Sequence, residues 1–232
     1  MLFKTALVVA VAAVASASEF HHGPTLEVPN LDVPACPHTS RVQYSKSIPD
    51  QTDFPLTQVE LCYDNTSIQI TFTAFNETNY YFNPNHTTND PIWAYEVMEA
   101  FISHGTNDPQ TYLEFEINPN NVTFQAIIHN PSKVSAQGFP TGAYFITQPL
   151  VHGFSANTVL DKPKNTWVST AHIPLGLFNV DDGEAKGTEW RMNFFRTVTS
   201  PTTYPDQLLG AWNPTNASNF HMTPFFGVVN FV

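Results

Sequence analysis

The 232-residue chain has few charged side chains, and especially few basic ones. Charged residues make up 12% of the chain, roughly half the usual share. Only 9 Lys and Arg stand against 20 Asp and Glu, which gives a formal net charge of −11. Such a chain lacks the basic stripe that follows a phosphate backbone, so we expect no nucleic-acid partner.

Long hydrophobic runs are missing beyond the N-terminus. The first residues hold one Lys, an apolar run over 6–14 and the small residues Ala15, Ser16 and Ala17. This is the pattern of a secretory signal peptide, and the run is too short to cross a bilayer. We predict a signal peptide over 1–17, an extended lead-in over 18–33 and one domain over 34–232. The mature protein is expected to be secreted and monomeric, with no membrane partner.

Cysteine is nearly absent as well, since the chain contains only Cys36 and Cys62. Export through an oxidising compartment favours a disulfide between them, and two buried free thiols are the alternative. Asn-x-Ser/Thr sequences are numerous by contrast. Each is a potential glycosylation site and would mark a surface turn. They begin at Asn65, Asn76, Asn85, Asn121 and Asn216.

Familiar catalytic and cofactor motifs are also missing. The sequence has no G-x-S-x-G, Walker loop, G-x-G-x-x-G or H-E-x-x-H pattern. His21 and His22 follow the predicted mature N-terminus at Ser18, so they lack the terminal amine of an N-terminal copper site. His221 and Met222 are adjacent, and adjacent residues of a strand face opposite sides, so they cannot clamp one haem iron. No cofactor is expected, apart from a structural calcium ion.

What the chain does have is short runs of strand character separated by Pro-rich connections. In Ser67–Ala74 apolar and polar residues alternate strictly, which predicts a half-buried strand. Further strands are predicted over 97–103, 112–117, 122–129, 166–173, 190–196 and 227–232, whereas little periodicity appears before residue 56. About eight to eleven short strands predict an all-β protein with a single antiparallel, jelly-roll-like β-sandwich.

Several of these segments, taken in order, resemble family 9 carbohydrate-binding modules. In Pro91–Ile102 a Trp is followed six residues later by a Glu, as in that family. The segments 112–119, 190–196 and 211–227 are similar to its later strands and its closing segment. The resemblance covers about residues 34–232 and is strongest to secreted fungal relatives. It implies a β-sandwich that binds a polysaccharide or oligosaccharide and carries structural calcium.

The resemblance also implies a sugar site. In the family a sugar ring lies between two Trp side chains, while Glu, Arg and amide groups bind its hydroxyls. By position Trp93 is one wall, Glu99 the hydroxyl acceptor and Trp212 the second wall. The alternative is that these residues only pack the sandwich. The Arg of the family has no counterpart, because Leu113 and Glu114 stand where the cation is expected.

Acidic residues offer two further interpretations. Asp181, Asp182 and Glu184 form a tight acidic loop, which either binds calcium or is a solvated turn. Glu96 and Glu99, with Glu114 and Glu116, could be taken for the paired acids of a glycoside hydrolase. Glu114 and Glu116 share one strand face, but so do the acids of any solvated acidic face. We therefore expect a non-catalytic carbohydrate-binding protein. A secreted enzyme that acts on polysaccharide is the alternative.

Overall fold

Two β-sheets face each other in the computed structural model, which describes residues 26–232. The predicted signal peptide, the start of the predicted lead-in, and His21 and His22 lie outside the described residues. The strands are β1 (Asn30–Val33), β2 (Ser40–Lys46), β3 (Asp53–Tyr63), β4 (Ser67–Ala74), β5 (Val97–His104), β6 (Thr111–Ile117), β7 (Thr123–His129), β8 (Gly142–Phe145), β9 (Ser155–Asp161), β10 (Thr166–Pro174), β11 (Glu189–Val198), β12 (Leu208–Ala211) and β13 (Gly227–Phe231). Short 3₁₀ helices cover Ile92–Ala94, Lys162–Lys164, Leu175–Phe178 and Thr223–Phe225. None of the helices in residues 26–232 is long and apolar enough to cross a membrane.

The larger sheet has eight strands, and the smaller sheet has five. Their orders are β1-β13-β11-β5-β6-β7-β8 and β2-β3-β4-β10-β9, and β12 pairs with the second half of β11. All pairs are antiparallel except β1 with β13, which run parallel. The predicted β-sandwich is thus confirmed, with one parallel pair at its edge.

The main core fills the space between the two sheets. Because alternate residues of a strand face opposite sides, Trp190, Met192 and Phe194 of β11 all point inward. They meet apolar residues of the smaller sheet, and the rings of Phe72 and Phe194 lie 6.4 Å apart, edge to face. The apolar face that the strict alternation of β4 predicted, with Ile68, Ile70, Phe72 and Ala74, does face this core.

The outer face of the larger sheet is covered too. A second apolar cluster there includes Phe101 of β5, Phe124 of β7 and Phe195 of β11, with Phe226 from the closing segment. A sheet buried on both faces has strands that are apolar nearly throughout. Eight consecutive residues of β11, from Trp190 to Thr197, are buried, and they include the polar side chains of Arg191, Asn193, Arg196 and Thr197.

The structure confirms most strand predictions and corrects those for the N-terminal region. The segment 97–104 is a strand, and β4 has the bounds that its alternation predicts. The described residues form thirteen strands, more than expected. The segment in which the sequence shows little periodicity contains β2 and the start of β3. Only Val42 and Tyr44 of β2 are buried, so its alternating pattern is too short to predict the strand. Residues 30–33, at the end of the predicted lead-in, are β1 of the larger sheet.

The cysteine prediction is confirmed. Cys36 and Cys62 form a disulfide with a Cα–Cα distance of 5.1 Å. It joins the segment after β1 to the end of β3, so it ties the N-terminal segment to the smaller sheet. All five Asn residues of the Asn-x-Ser/Thr sequences are exposed, as surface positions require: Asn65, Asn76, Asn85, Asn121 and Asn216.

Candidate functional site

A cavity of about 440 Å³ opens on the outer face of the larger sheet. This volume is in the range of small-molecule sites. Its lining comes from six strands of the sheet, from the residues just before β8 and β12, from the 3₁₀ helix at Ile92–Ala94 and from the segment before β13. The lining residues are Trp93, Glu99, Glu114, Phe124, Ile128, Thr141, Ala143, Phe145, Thr197, Gln207, Leu209, Ser218, Asn219, Phe220 and His221.

Trp93 stands on the rim of this cavity. The preceding residue, Ile92, is fully buried and anchors the 3₁₀ turn. The side-chain amide of Gln207 donates a 2.7 Å hydrogen bond to the carbonyl of Trp93 and fixes the turn from the other side. The Trp93 side chain itself remains 45% exposed. A rigid backbone therefore presents an indole to solvent and to the cavity.

Two more aromatic rings continue the wall that begins at Trp93. Phe124 meets the Trp93 ring edge to face with centroids 5.2 Å apart. Phe145, from the short edge strand β8, meets Phe124 in the same way at 5.5 Å and is 50% exposed. Phe124 thus lies in contact with two exposed rings, each nearly perpendicular to it. Such a surface offers flat apolar faces to a ligand.

Carboxyl groups form the base of the cavity. Glu99 of β5 and Glu114 of β6 line it, and both side chains are nearly fully buried. Burial raises the pKa of Glu114 to about 8. Burial, followed by the nearby charge of Glu114, raises the pKa of Glu99 well above its ordinary value. Glu114 occupies the place where the resemblance leads us to expect an Arg, so the base of the cavity carries a carboxyl group where the family has a cation.

His221 closes one side of this base. Its Nδ1 lies 2.6 Å from the hydroxyl of Tyr112, and its ring packs on Phe101 with centroids 5.1 Å apart. Its Nε2 is 3.7 Å from Oε1 of Glu114. Burial lowers the pKa of His221 to about 4, so the imidazole is neutral at pH 7. His221 therefore does not bring a positive charge to the carboxylates.

The structure brings Trp93 and Glu99 to one cavity but places Trp212 elsewhere. Leu209 and Ala211 belong to the outer apolar cluster, and Trp212 packs against the core between the sheets. The Trp212 backbone N–H extends the ladder from β12 by donating to the carbonyl of Phe194. Being one residue beyond Ala211, Trp212 faces the opposite side of the sheet. It borders a different depression, beside β2.

The acidic loop predicted to bind calcium is exposed. Asp181, Asp182 and Glu184 lie in the turns between the 3₁₀ helix at Leu175–Phe178 and β11. Within residues 26–232, only one group of three metal-ligating side chains has its ligand atoms within 4.8 Å of one another, and it does not include this loop. Calcium binding at the loop stays a prediction.

The chain is similar to a fungal protein over nearly its whole length. It is 50% identical over 204 residues to a protein of Arthroderma benhamiae named "Extracellular protein", which covers 88% of this chain and 91% of that relative. The chain belongs to the same family as this extracellular protein. No family model matches the chain.

Solved structures of carbohydrate-binding proteins share the fold. One, described as a carbohydrate-binding protein of Bacteroides uniformis, has a TM-score of 0.63 and 16% identity, over 89% of this chain and 100% of that one. A family 9 carbohydrate-binding module of Caldicellulosiruptor kristjanssonii in complex with cellotriose has a TM-score of 0.56 and 12% identity, over 87% and 93%. The same organism's module with glucose has a TM-score of 0.54 and 14% identity, over 88% and 95%. The predicted resemblance to family 9 modules is therefore confirmed as a likeness of fold.

Some residues of the cavity could not be found from the sequence. Phe145 belongs to a strand of only four residues, too short for a periodic signal. The sequence did predict the strand that contains Phe124, over 122–129. On that strand Phe124 shares a face with Ala126 and Ile128. The sequence does not indicate that Phe124 faces a cavity. The cavity wall forms only when β8 pairs with β7, and local sequence patterns do not predict that long-range pairing.

Proposed function

We propose that this protein is secreted and binds a sugar unit of a polysaccharide or oligosaccharide in the cavity beside Trp93. The fold it shares with family 9 carbohydrate-binding modules supports this proposal. In two of the similar structures the module is bound to cellotriose or to glucose. Secretion is supported by the name of the fungal relative and by the signal-peptide pattern over residues 1–17.

The exposure of Trp93 is the observation that carries the proposal. Trp167 and Trp190 are fully buried, whereas Trp93 is 45% exposed at the rim of a cavity. The faces of a pyranose ring carry C–H groups that pack on an indole, and its hydroxyls need polar partners at the edge. In this proposal the indole of Trp93 stacks on the ring face. The Glu99 carboxyl group accepts hydrogen bonds from hydroxyls.

Phe145 takes the role that the resemblance assigned to Trp212. It is the second exposed aromatic side chain on the cavity, and it contacts the same Phe124 ring as Trp93. Trp212 lies on the other face of the sheet. A sugar held between Trp93 and Phe145 would have Glu99 at its hydroxyl edge.

Binding and stability measured on the same variants test the site. A glycan array with the mature chain identifies the ligand. With that ligand, Trp93→Ala is expected to weaken binding by roughly 1–3 kcal/mol, or about 5- to 150-fold in Kd. Phe145→Ala should weaken it in the same direction. Trp212→Ala is the matched control, since it removes the same kind of side chain from the opposite face and should lower stability but not affinity.

The proposal would be contradicted by a folded Trp93→Ala variant that binds its glycan as tightly as the parent. Trp212→Ala losing affinity while Trp93→Ala keeps it would move the site to the other face of the sheet.

We propose further that binding is not coupled to hydrolysis. Glu99 and Glu114 project from adjacent strands on one sheet face, at the base of the cavity. Glycoside hydrolases place two carboxyl groups on either side of the scissile bond. Incubation with a panel of polysaccharides should therefore release no reducing sugar. Release that is abolished by Glu114→Gln would favour the enzyme alternative.

The mature protein is proposed to be a glycosylated monomer. The exposure of the five Asn residues is compatible with modification at each. Mass spectrometry before and after enzymatic removal of N-glycans counts the occupied sites. Light scattering of the secreted protein measures the oligomeric state.

A further inference from the structure

Three glutamate side chains converge under the base of the cavity. In the pairing of β5 with β6, Glu99 lies opposite Glu116. Glu114 is two residues before Glu116 on β6, so it projects from the same face. One carboxylate oxygen of each lies within 4.8 Å of the others. The three residues are 2%, 7% and 0% exposed, in the order Glu99, Glu114 and Glu116.

Glu116 has no partner for its charge. Both of its oxygens are buried, and no hydrogen-bond donor of residues 26–232 reaches either of them. Its side chain is aimed into the space shared with Glu99 and Glu114. A buried carboxylate without donors is costly, and like charges nearby raise the cost further. The arrangement calls either for protons shared among the acids or for a cation between them.

The basic side chains of the larger sheet are engaged elsewhere. Arg191 pairs with Asp108 at 2.9 Å, and Arg196 pairs with Glu77 at 2.8 Å. Arg196 also faces the core between the sheets, away from the three acids, since it alternates with Phe195. The Nδ1 of the neighbouring His221 is hydrogen-bonded to the hydroxyl of Tyr112, and its Nε2 stays 3.7 Å from Glu114, beyond hydrogen-bond distance. No protein cation of the described residues therefore balances the cluster.

We propose that Glu99, Glu114 and Glu116 bind one hard divalent cation, Ca²⁺ in the first instance. Carboxylate oxygens are the ligands that Ca²⁺ prefers, at about 2.3–2.6 Å. Three oxygens within 4.8 Å of one another lie at most about 2.8 Å from a common centre, so small side-chain shifts bring all three to that distance from one ion. Glu116 lies behind the cavity lining and does not border the cavity. A sugar in the cavity therefore cannot contact it, whereas an ion small enough to pass between the side chains can. Glu99 and Glu114 do line the cavity, and they give the ion a route inward and an open side toward the cavity.

Metal titration of the mature chain, without glycan, tests this site. After treatment with chelator, calorimetry with CaCl₂ should show a saturable site of one ion per chain at the three acids, separate from any binding at the exposed loop. The melting temperature should rise with added Ca²⁺ because the ion binds the folded state. Glu116→Gln should abolish the heat and the melting shift that belong to this site. Its metal-free melting temperature should equal or exceed that of the parent, because one buried like charge is removed. Asp181→Asn/Asp182→Asn, which neutralises two acids of the exposed loop, is the matched control and should keep both signals.

Three outcomes overturn the proposal. The first is a parent protein whose melting temperature and heat of mixing do not respond to Ca²⁺, Mg²⁺ or Mn²⁺, which indicates protons shared among the acids. The second is a response that Glu116→Gln retains in full, and the third is a response that only the loop variant loses. If Glu116→Gln fails to fold, Glu99→Gln provides the same comparison. Glycan binding does not enter these measurements, so failure of the sugar site leaves the metal result unaffected.

Discussion

Trp212 and its neighbour Ala211 lie on opposite faces of the larger sheet, and this one-residue step decides what each can do. Ala211 packs in the outer cluster beside the cavity, whereas the Trp212 ring is tilted against Phe194 in the inter-sheet core at 5.7 Å. The ring also covers Gly227, the first residue of β13. A Cβ on Gly227 would lie 2.5 Å from two ring atoms of Trp212. The position therefore requires glycine.

Gly227→Ala is expected to destabilise the protein. The added methyl group collides with the Trp212 ring, so the ring or the strand must shift, at a cost of roughly 1–3 kcal/mol in the free energy of unfolding. Denaturant unfolding measures the change. Gly176→Ala is the control, because a Cβ at that position meets no atom within 4 Å. Equal stability of the two variants would contradict the packing described for Trp212.

At the scale of strands, a buried ion pair links the two sheets. Arg196 of β11 and Glu77, in the segment after β4, are both 1% exposed in their side chains and lie 2.8 Å apart. Arg196 also donates to the hydroxyl of Thr57 on β3. Glu77 accepts the backbone N–H groups of Asn79 and Tyr80 with its other oxygen. The ion pair and the Thr57 contact thus join the two sheets, although Nε of Arg196 is buried without a hydrogen-bond partner among the described residues.

Removing one partner of this buried pair should lower the free energy of unfolding much more than removing one partner of an exposed ion pair. Glu77→Gln leaves the Arg196 charge buried without its partner, and we expect a loss of about 3–5 kcal/mol in unfolding free energy. Glu60→Gln breaks the surface pair between Arg41 and Glu60, where the Arg side chain is 59% exposed. That control should cost about 0–1 kcal/mol. Similar losses in both variants would show that the buried pair adds nothing specific.

The strands differ in how far the sequence predicts them. The alternation in β4 is strict because its two faces meet different surroundings, so its bounds could be predicted. The short strands β8 and β12 have four residues each and carry no periodic signal. The cavity depends on such strands, since they contribute Phe145 and Leu209 to it. Local patterns therefore predict the sandwich, but only long-range pairing assembles the site.

The candidate site shows the same division. The spacing of Trp93 and Glu99 could be found in the sequence, because both belong to one contiguous segment. The convergence of Glu99 with Glu116 depends on the register between β5 and β6, which sets them opposite each other. A shift of one residue would turn Glu116 to the other face. The sequence alone does not determine that register.

For the molecule as a whole, the disulfide supplies a separate constraint. The Cys36–Cys62 bond closes a loop with a sequence separation of 26 residues. On the chain-entropy model, a loop of this length contributes roughly 3.5 kcal/mol to stability by restricting the unfolded chain. Reduction should therefore lower the melting temperature, as should the double variant Cys36→Ser/Cys62→Ser. Thermal unfolding with and without reductant measures this, and two titratable thiols in the native secreted protein would contradict the bond.

The stability of the whole molecule should also depend on pH through its buried acids. Burial, and next the charge of Glu77, raises the pKa of Glu96 to about 8 from an ordinary value of 4.5. Arg196 and hydrogen bonds from Tyr81 and Asn79 act in the opposite direction, with smaller effect. Between these two pH values the folded state holds a proton that the unfolded chain releases. The stability that this proton contributes is full below about pH 4.5 and is lost as the pH rises to about 8.

The melting temperature should accordingly fall between pH 5 and pH 8. One such group changes the unfolding free energy by at most about 1.4 kcal/mol per pH unit. Glu96→Gln keeps the shape of the side chain and cannot ionise, so the variant should show a flatter pH dependence than the parent. The general repulsion in a chain of net charge −11 is nearly the same in both proteins, and the difference between their slopes therefore isolates Glu96. Parallel slopes for parent and variant would show that Glu96 is ionised in the folded protein throughout this range.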